Sequence, residues 1–169
     1  MKIPFNKVYL TGKEEIYMLE ALHSGQLCGN HNFCKKILSI MKEKYGFKNA
    51  FLVPSGTAAL EMGVVLADIQ PGDEVILPSY TFSSTVNAVV LFGGKPVFCE
   101  IDPNTMNIDY EKIEPLITSK TKMIMPIDYA GVPCEIDKIM EIANKHNLIV
   151  FQDCAQSVSY THLTLPTNS

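Results

Sequence analysis

Asp153 and Gln156 follow an apolar run, Leu148-Ile149-Val150-Phe151-Gln152, and stand three positions apart. A carboxylate delivered by an apolar strand is costly to keep ionised unless a cation meets it. A protonated ring nitrogen is one such cation, and the charge-assisted hydrogen bond contributes about 1.5–3 kcal/mol. Much earlier, Val53-Pro54-Ser55-Gly56-Thr57-Ala58 is an apolar end, a small-residue turn and the start of helical sequence. There Gly56 permits close backbone approach, Ser55 or Thr57 supplies a hydroxyl, and first-turn N–H groups face an anion. It is not a Walker loop, because no Gly-Lys-Ser/Thr follows. Between these stretches, Phe82 comes shortly after Leu77-Pro78-Ser79 and is suited to stacking on a planar ring. Each feature also has a plainer reading: a capped helix, a core phenylalanine, an N-cap aspartate.

The elements that position these residues alternate. Apolar, β-branched runs at 50–53, 74–77, 96–100, 122–127 and 148–152 read as strands. They are apolar on both faces, as buried parallel strands are. Helical patterns fall at 57–68, 81–92, 110–118 and 135–146, with two earlier ones at 13–23 and 32–45. Gln70-Pro71-Gly72-Asp73, Gly93-Gly94, Asp102-Pro103-Asn104 and Gly131-Val132-Pro133 supply the turns. Strand–helix alternation implies a mainly parallel, three-layer α/β sheet, whose ligands bind beyond the carboxyl ends of the strands. All three features lie at such ends.

Composition narrows the partners. The chain has 169 residues, 47% hydrophobic and 19% charged, with a net charge of −4. No Lys/Arg run marks a nucleic-acid or anionic-membrane surface, and no apolar run approaches bilayer length. Cys28, Cys34, Cys99, Cys134 and Cys154 are scattered and odd in number, without a C-x-x-C pair. Neither a zinc site nor a disulfide framework is indicated, and a reduced, cytoplasmic protein is expected. His146, late in a helical pattern, reads as a favourable C-terminal charge rather than a catalytic group.

A phosphate anchor, a stacking aromatic and an acid for a ring nitrogen together meet the demands of pyridoxal 5′-phosphate. The long stretches Pro54–Asp109 and Met125–Gln156 moreover resemble the DegT/DnrJ/EryC1/StrS sugar-nucleotide aminotransferases. The resemblance runs from about Ile3 to Gln156 and implies the large domain of the aspartate-aminotransferase fold, fold type I, in truncated form. It implies that Gly56, Thr57 and Ala58 hold the cofactor phosphate, that Phe82 stacks on the ring, that Asp153 pairs with its nitrogen and that Gln156 reaches its hydroxyl. "SGQLCGN" and "DIQPGDEVILPSYTF" are most similar to members that move an amino group from glutamate to C4 of dTDP-4-dehydro-6-deoxyglucose for surface polysaccharides. A homodimer, with dTDP-sugar and glutamate as substrates, is implied for the full-length protein. Asp128, in "PIDYAG", stands where relatives often carry His, and no role is assigned to it.

By the same resemblance, the Schiff-base lysine lies a few tens of residues beyond Gln156, and no lysine of this chain takes that position. The chain as given is therefore expected to be inactive, with 50–53 left as an open apolar edge prone to aggregation. A family dehydratase with His at that position, or a non-catalytic cofactor-binding fragment, remains open as an alternative. The domain reading is 1–47 as an N-terminal helical segment, 48–157 as a partial cofactor-binding domain and 158–169 as a non-native tail. Residues 158–167 match the translation of a transposon-end adapter used in sequencing libraries. Resequencing the locus is expected to show the native frame interrupted near Ser157; a native stop codon after Ser169 without adapter DNA contradicts this.

Overall fold

The computed structural model describes residues 7–157. The first residues of the family resemblance and the adapter reading of 158–169 lie outside the described residues. The described residues divide into two compact units, the first ending at Leu52 and the second beginning at Val53.

In the first unit, α1 (Glu14–His23) and α2 (Asn32–Tyr45) bury no residue fully. The α1 entrance is fixed by Glu14, whose carboxylate accepts from the N–H groups of Thr11 and Gly12. These bonds hold its pKa down, at about 2. Gly46, at φ 68°, ends α2 in the left-handed conformation, which a residue without Cβ adopts at no steric cost. Tyr17 and Phe33 meet edge to face across the two helices, centroids 5.9 Å apart.

The second unit contains α3 (Gly56–Leu66), β1 (Glu74–Pro78), α4 (Ser83–Leu91), β2 (Lys95–Cys99), β3 (Thr121–Ile124), α5 (Ile136–His146) and β4 (Ile149–Val150). The strands form one sheet in the order β2-β1-β3-β4, and every pairing is parallel. Period-two alternation sends Val75 and Leu77 of β1, with Met123 of β3, into a core with Leu60 and Val64 of α3 and Ala88 and Val89 of α4. Ile76 and Ile124 go the other way, against Ile139 and Ala143 of α5. Helices thus cover both faces, which explains why the strand sequences show no polar side. This is the expected three-layer arrangement.

Two expectations are corrected. Residues 50–53 form no ladder with any described strand, and Phe51 is 63% exposed, so this apolar run is not a strand. Residues 110–118 are not one helix but two 3₁₀ turns, Tyr110–Lys112 and Glu114–Leu116. Pro115 has no N–H to continue an α-helical ladder through that point. At Gly63 in α3, a Cβ would run into the ring of Phe151, so a glycine in mid-helix serves close helix–strand packing.

At the amino end of β1, buried Glu74 accepts from Thr118 Oγ1 at 2.6 Å and from Lys95 Nζ at 2.9 Å. The Thr118 hydroxyl first, and Lys95 second, hold its carboxyl below the ordinary value near 4.5. A depressed pKa contributes stability that is complete above the ordinary value and is lost as pH falls through the folded one. Glu74→Gln is therefore expected to be less stable than the wild type at neutral pH and to show a flatter loss of stability in acid. Denaturant midpoints followed downward from neutral pH check this.

Candidate functional site

Because all four strands run the same way, their carboxyl ends share one edge of the sheet, and the helix N-termini that follow open onto it. After β1 come Thr81 and Phe82, after β3 come Ile127 and Tyr129, and after β4 come Asp153, Ala155 and Gln156. With Gly56, Thr57 and Leu60 of α3 and Ser84 and Thr85 of α4, they line one cleft of about 290 Å³. A smaller cleft of about 190 Å³, within the N-terminal unit, contains none of the six residues expected to hold the cofactor.

Five of the six residues expected at the site meet there: Gly56, Thr57, Phe82, Asp153 and Gln156. Ala58 does not line the cleft, and its N–H donates to the Oγ of Ser55, the N-cap of α3, at 3.1 Å. Ser55 thus satisfies one first-turn donor, while the N–H groups of Gly56 and Thr57 have no partner among the described residues. Thr57 Oγ1 and Ser84 Oγ lie 2.9 Å apart, joining the first turns of α3 and α4. Two positive helix ends and two hydroxyls therefore converge on one place, which suits an anion.

Phe82 is the N-cap of α4 and is 73% exposed, which excludes the plainer reading of a core residue. Asp153 joins Ile127 through an isolated parallel bridge. Its backbone is fixed on both sides, N–H to Pro126 O at 2.8 Å and O from Asp128 N–H at 3.0 Å. The carboxylate accepts from Ala155 N–H at 3.0 Å in a local turn, not at the cap of an α-helix. Among the described residues it is the only charged side chain lining the cleft. Gln156 Oε1 accepts from Ala130 N–H. A backbone N–H can only donate, so the amide oxygen faces Ala130 and Nε2 is left as the donor.

Several contributors escaped the sequence reading. Tyr129 lines the cleft and its hydroxyl lies 3.0 Å from that of Tyr80. This hydrogen bond is the main cause that raises the Tyr129 pKa, so the phenol stays protonated. Asn107 anchors the same loop, accepting from Tyr129 N–H at 2.8 Å and donating to Val132 O at 2.9 Å. The signal was available: Tyr129 follows β3 at the same edge, a fourth junction beside the three that were singled out. Asp128, left without a role, is buried and accepts from four donors. His146 ends α5 and meets Glu114 Oε1 at 2.7 Å, away from the cleft.

Residues 10–164 match the DegT/DnrJ/EryC1/StrS aminotransferase family, and the chain belongs to it. It is 39% identical over 153 residues to GDP-perosamine synthase of Caulobacter vibrioides, covering 90% of this chain and 41% of that protein. With the spore coat polysaccharide biosynthesis protein SpsC of Bacillus subtilis it shares 41% identity over 157 residues, 90% of this chain and 39% of the relative. The chain thus spans about two fifths of the curated relatives it matches. Among solved structures, an aminotransferase from Psychrobacter cryohalolentis superposes with a TM-score of 0.85 at 37% identity, over 91% of this chain and 40% of that one. NtdA from Bacillus subtilis, solved with its cofactor PMP bound, gives 0.82 at 33% identity, over 85% and 33%.

The loop that holds Gln156 contains two residues in the left-handed region, Ala130 at φ 52° and Gly131 at φ 82°. A Cβ at Gly131 would meet only the Gln156 carbonyl oxygen, at 3.5 Å, which is ordinary contact. The cost of Gly131→Ala is then conformational, about 1–2 kcal/mol. Thermal denaturation is expected to show this loss, and an unchanged midpoint contradicts it.

Proposed function

We propose that the cleft binds the phosphate and ring of pyridoxal phosphate and that the complete protein transfers an amino group from glutamate to C4 of a dTDP-4-dehydro-6-deoxyhexose. The observation that carries the reading is the polarity of the cleft. Two helix N-termini with free N–H and hydroxyl donors stand in the same space as a single carboxylate. That donor set fits a ligand carrying a phosphate and a protonated pyridine nitrogen, with exposed Phe82 to cover its flat face.

Bound there, the cofactor supplies an electron-withdrawing ring that eases removal of a proton from carbon. The chain's own residues bind and orient it. Gly56 and Thr57 anchor the phosphate, and Ala58 joins them where the Ser55 hydroxyl yields its N–H. Asp153 keeps the ring nitrogen protonated, and Gln156 Nε2 donates to the ring hydroxyl. Membership of the family and the name of the GDP-perosamine synthase relative support a nucleotide-linked sugar as the amino acceptor. That relative is named for a GDP sugar, and dTDP is the nucleotide proposed for this protein. A homodimer, a cytoplasmic setting and a place in polysaccharide synthesis complete the reading. No described helix is long and apolar enough to cross a membrane.

Pyridoxamine phosphate is the appropriate probe, because it binds without forming a bond to lysine. The 169-residue chain is expected to bind it with saturable fluorescence change. Phe82→Ala is expected to weaken that binding while shifting stability by no more than about 0.5 kcal/mol, since the side chain lies at the surface. The gene read in full is expected to encode Lys beyond Gln156, and its product to aminate a dTDP-4-keto sugar in preference to the GDP analogue. Absence of pyridoxamine phosphate binding to the full-length product overturns the reading.

A further inference from the structure

Asp128 is 1% exposed, and no Lys, Arg or His among the described residues forms an ion pair with it. A buried carboxylate without a cation persists only if hydrogen bonds replace its hydration. Its partners are specific. Oδ1 accepts from Gln152 Nε2 at 2.9 Å and from Cys134 N–H at 3.0 Å. Oδ2 accepts from Ser157 Oγ at 3.0 Å and from Cys154 Sγ at 3.5 Å. Burial first, and the Asp128 charge second, push the Cys154 thiol up to about 11, so it stays protonated and can donate. Asp128 N–H also donates to Asp153 O at 3.0 Å.

These donors are not scattered. Gln152 and Cys154 flank Asp153, and Ser157 follows Gln156. One carboxylate, held from behind by Cys134 N–H, therefore grips the segment 152–157 at three side chains, and the cleft-lining Asp153, Ala155 and Gln156 hang between those grips. β4 is only two residues long, and backbone pairing beyond it reaches no further than Asp153, so no ladder holds 154–157. We propose that Asp128 is a positioning residue: its buried carboxylate sets the backbone of 152–157 so that Asp153 and Gln156 address the ring nitrogen and ring hydroxyl. The proposal rests on the cofactor reading above. A shift of a reacting or binding group by about 1 Å can cost a factor of about 100, so loss of the grip has a measurable consequence.

The test uses Asp128→Asn, which keeps one acceptor, and Asp128→Ala, which keeps none. Glu74→Gln serves as a comparison, because Glu74 is also buried and hydrogen-bonded but lies at the amino end of β1. The first measurement is amide hydrogen exchange without ligand. Exchange in 152–157 is expected to rise in the order wild type, Asn, Ala, while β1 is unaffected; no change in 152–157 overturns the proposal. The second is pyridoxamine phosphate affinity below the melting range of every variant. Asp128→Ala is expected to weaken it about tenfold or more and Glu74→Gln not at all. The third is the pH at which the bound ring nitrogen loses its proton, read by absorbance. Misplacing Asp153 lowers that pH in Asp128→Asn, whereas a merely stabilising Asp128 leaves it unchanged. Equal affinity and an equal titration midpoint in both Asp128 variants overturn the proposal. If the wild type itself fails to bind pyridoxamine phosphate, the cofactor reading falls, and the exchange measurement still decides whether Asp128 orders the segment.

Discussion

Parallelism is the constraint on which everything else rests. Four strands running one way, with helices on both faces, send every carboxyl end and the N-terminus of α4 to one edge, where the first turn of α3 joins it. Groups far apart in sequence, Gly56, Phe82, Tyr129 and Asp153, meet there without any of them being close along the chain. The sheet is held by apolar burial on both sides, which needs no polar residue at the strand centres. Polar chemistry is thereby confined to the ends, where the backbone leaves regular structure.

At that edge two kinds of charge are arranged differently. Positive potential comes from helix ends and backbone N–H groups rather than from Lys or Arg, so it is fixed in place by the fold. Negative charge comes from one side chain, Asp153, whose backbone N–H and carbonyl both bond the chain just beyond β3, at Pro126 and Asp128. Behind it stands a second carboxylate, Asp128, entirely enclosed by donors. One acid faces the ligand and the other faces inward. Their different surroundings, not their chemistry, separate their roles.

Much of this was legible in the sequence, for identifiable reasons. Strands buried on both faces announce themselves as unbroken apolar runs, and α2 was bounded correctly at 32–45 because its periodicity ends at Gly46. The apolar run at 50–53 pairs with no described strand; sheet membership is a property of two segments, and one segment cannot reveal it. At 110–118 the helical pattern is broken by Pro115, whose missing N–H leaves two 3₁₀ turns. Asp128 was invisible for a different reason. Its partners at 134, 152, 154 and 157 follow no period, and only the crossover from β3 through α5 to β4 brings them together. Tyr129 and Tyr80 likewise become a pair only once β1 and β3 are neighbours.

The most direct measurement is a crystal structure of the chain grown with pyridoxamine phosphate. The account predicts the phosphate at the joined first turns of α3 and α4, within hydrogen-bond distance of the Gly56 and Thr57 N–H groups. It predicts the ring against Phe82, with its nitrogen facing the Asp153 carboxylate. A ring nitrogen turned away from Asp153, or a phosphate bound elsewhere on the molecule, contradicts it.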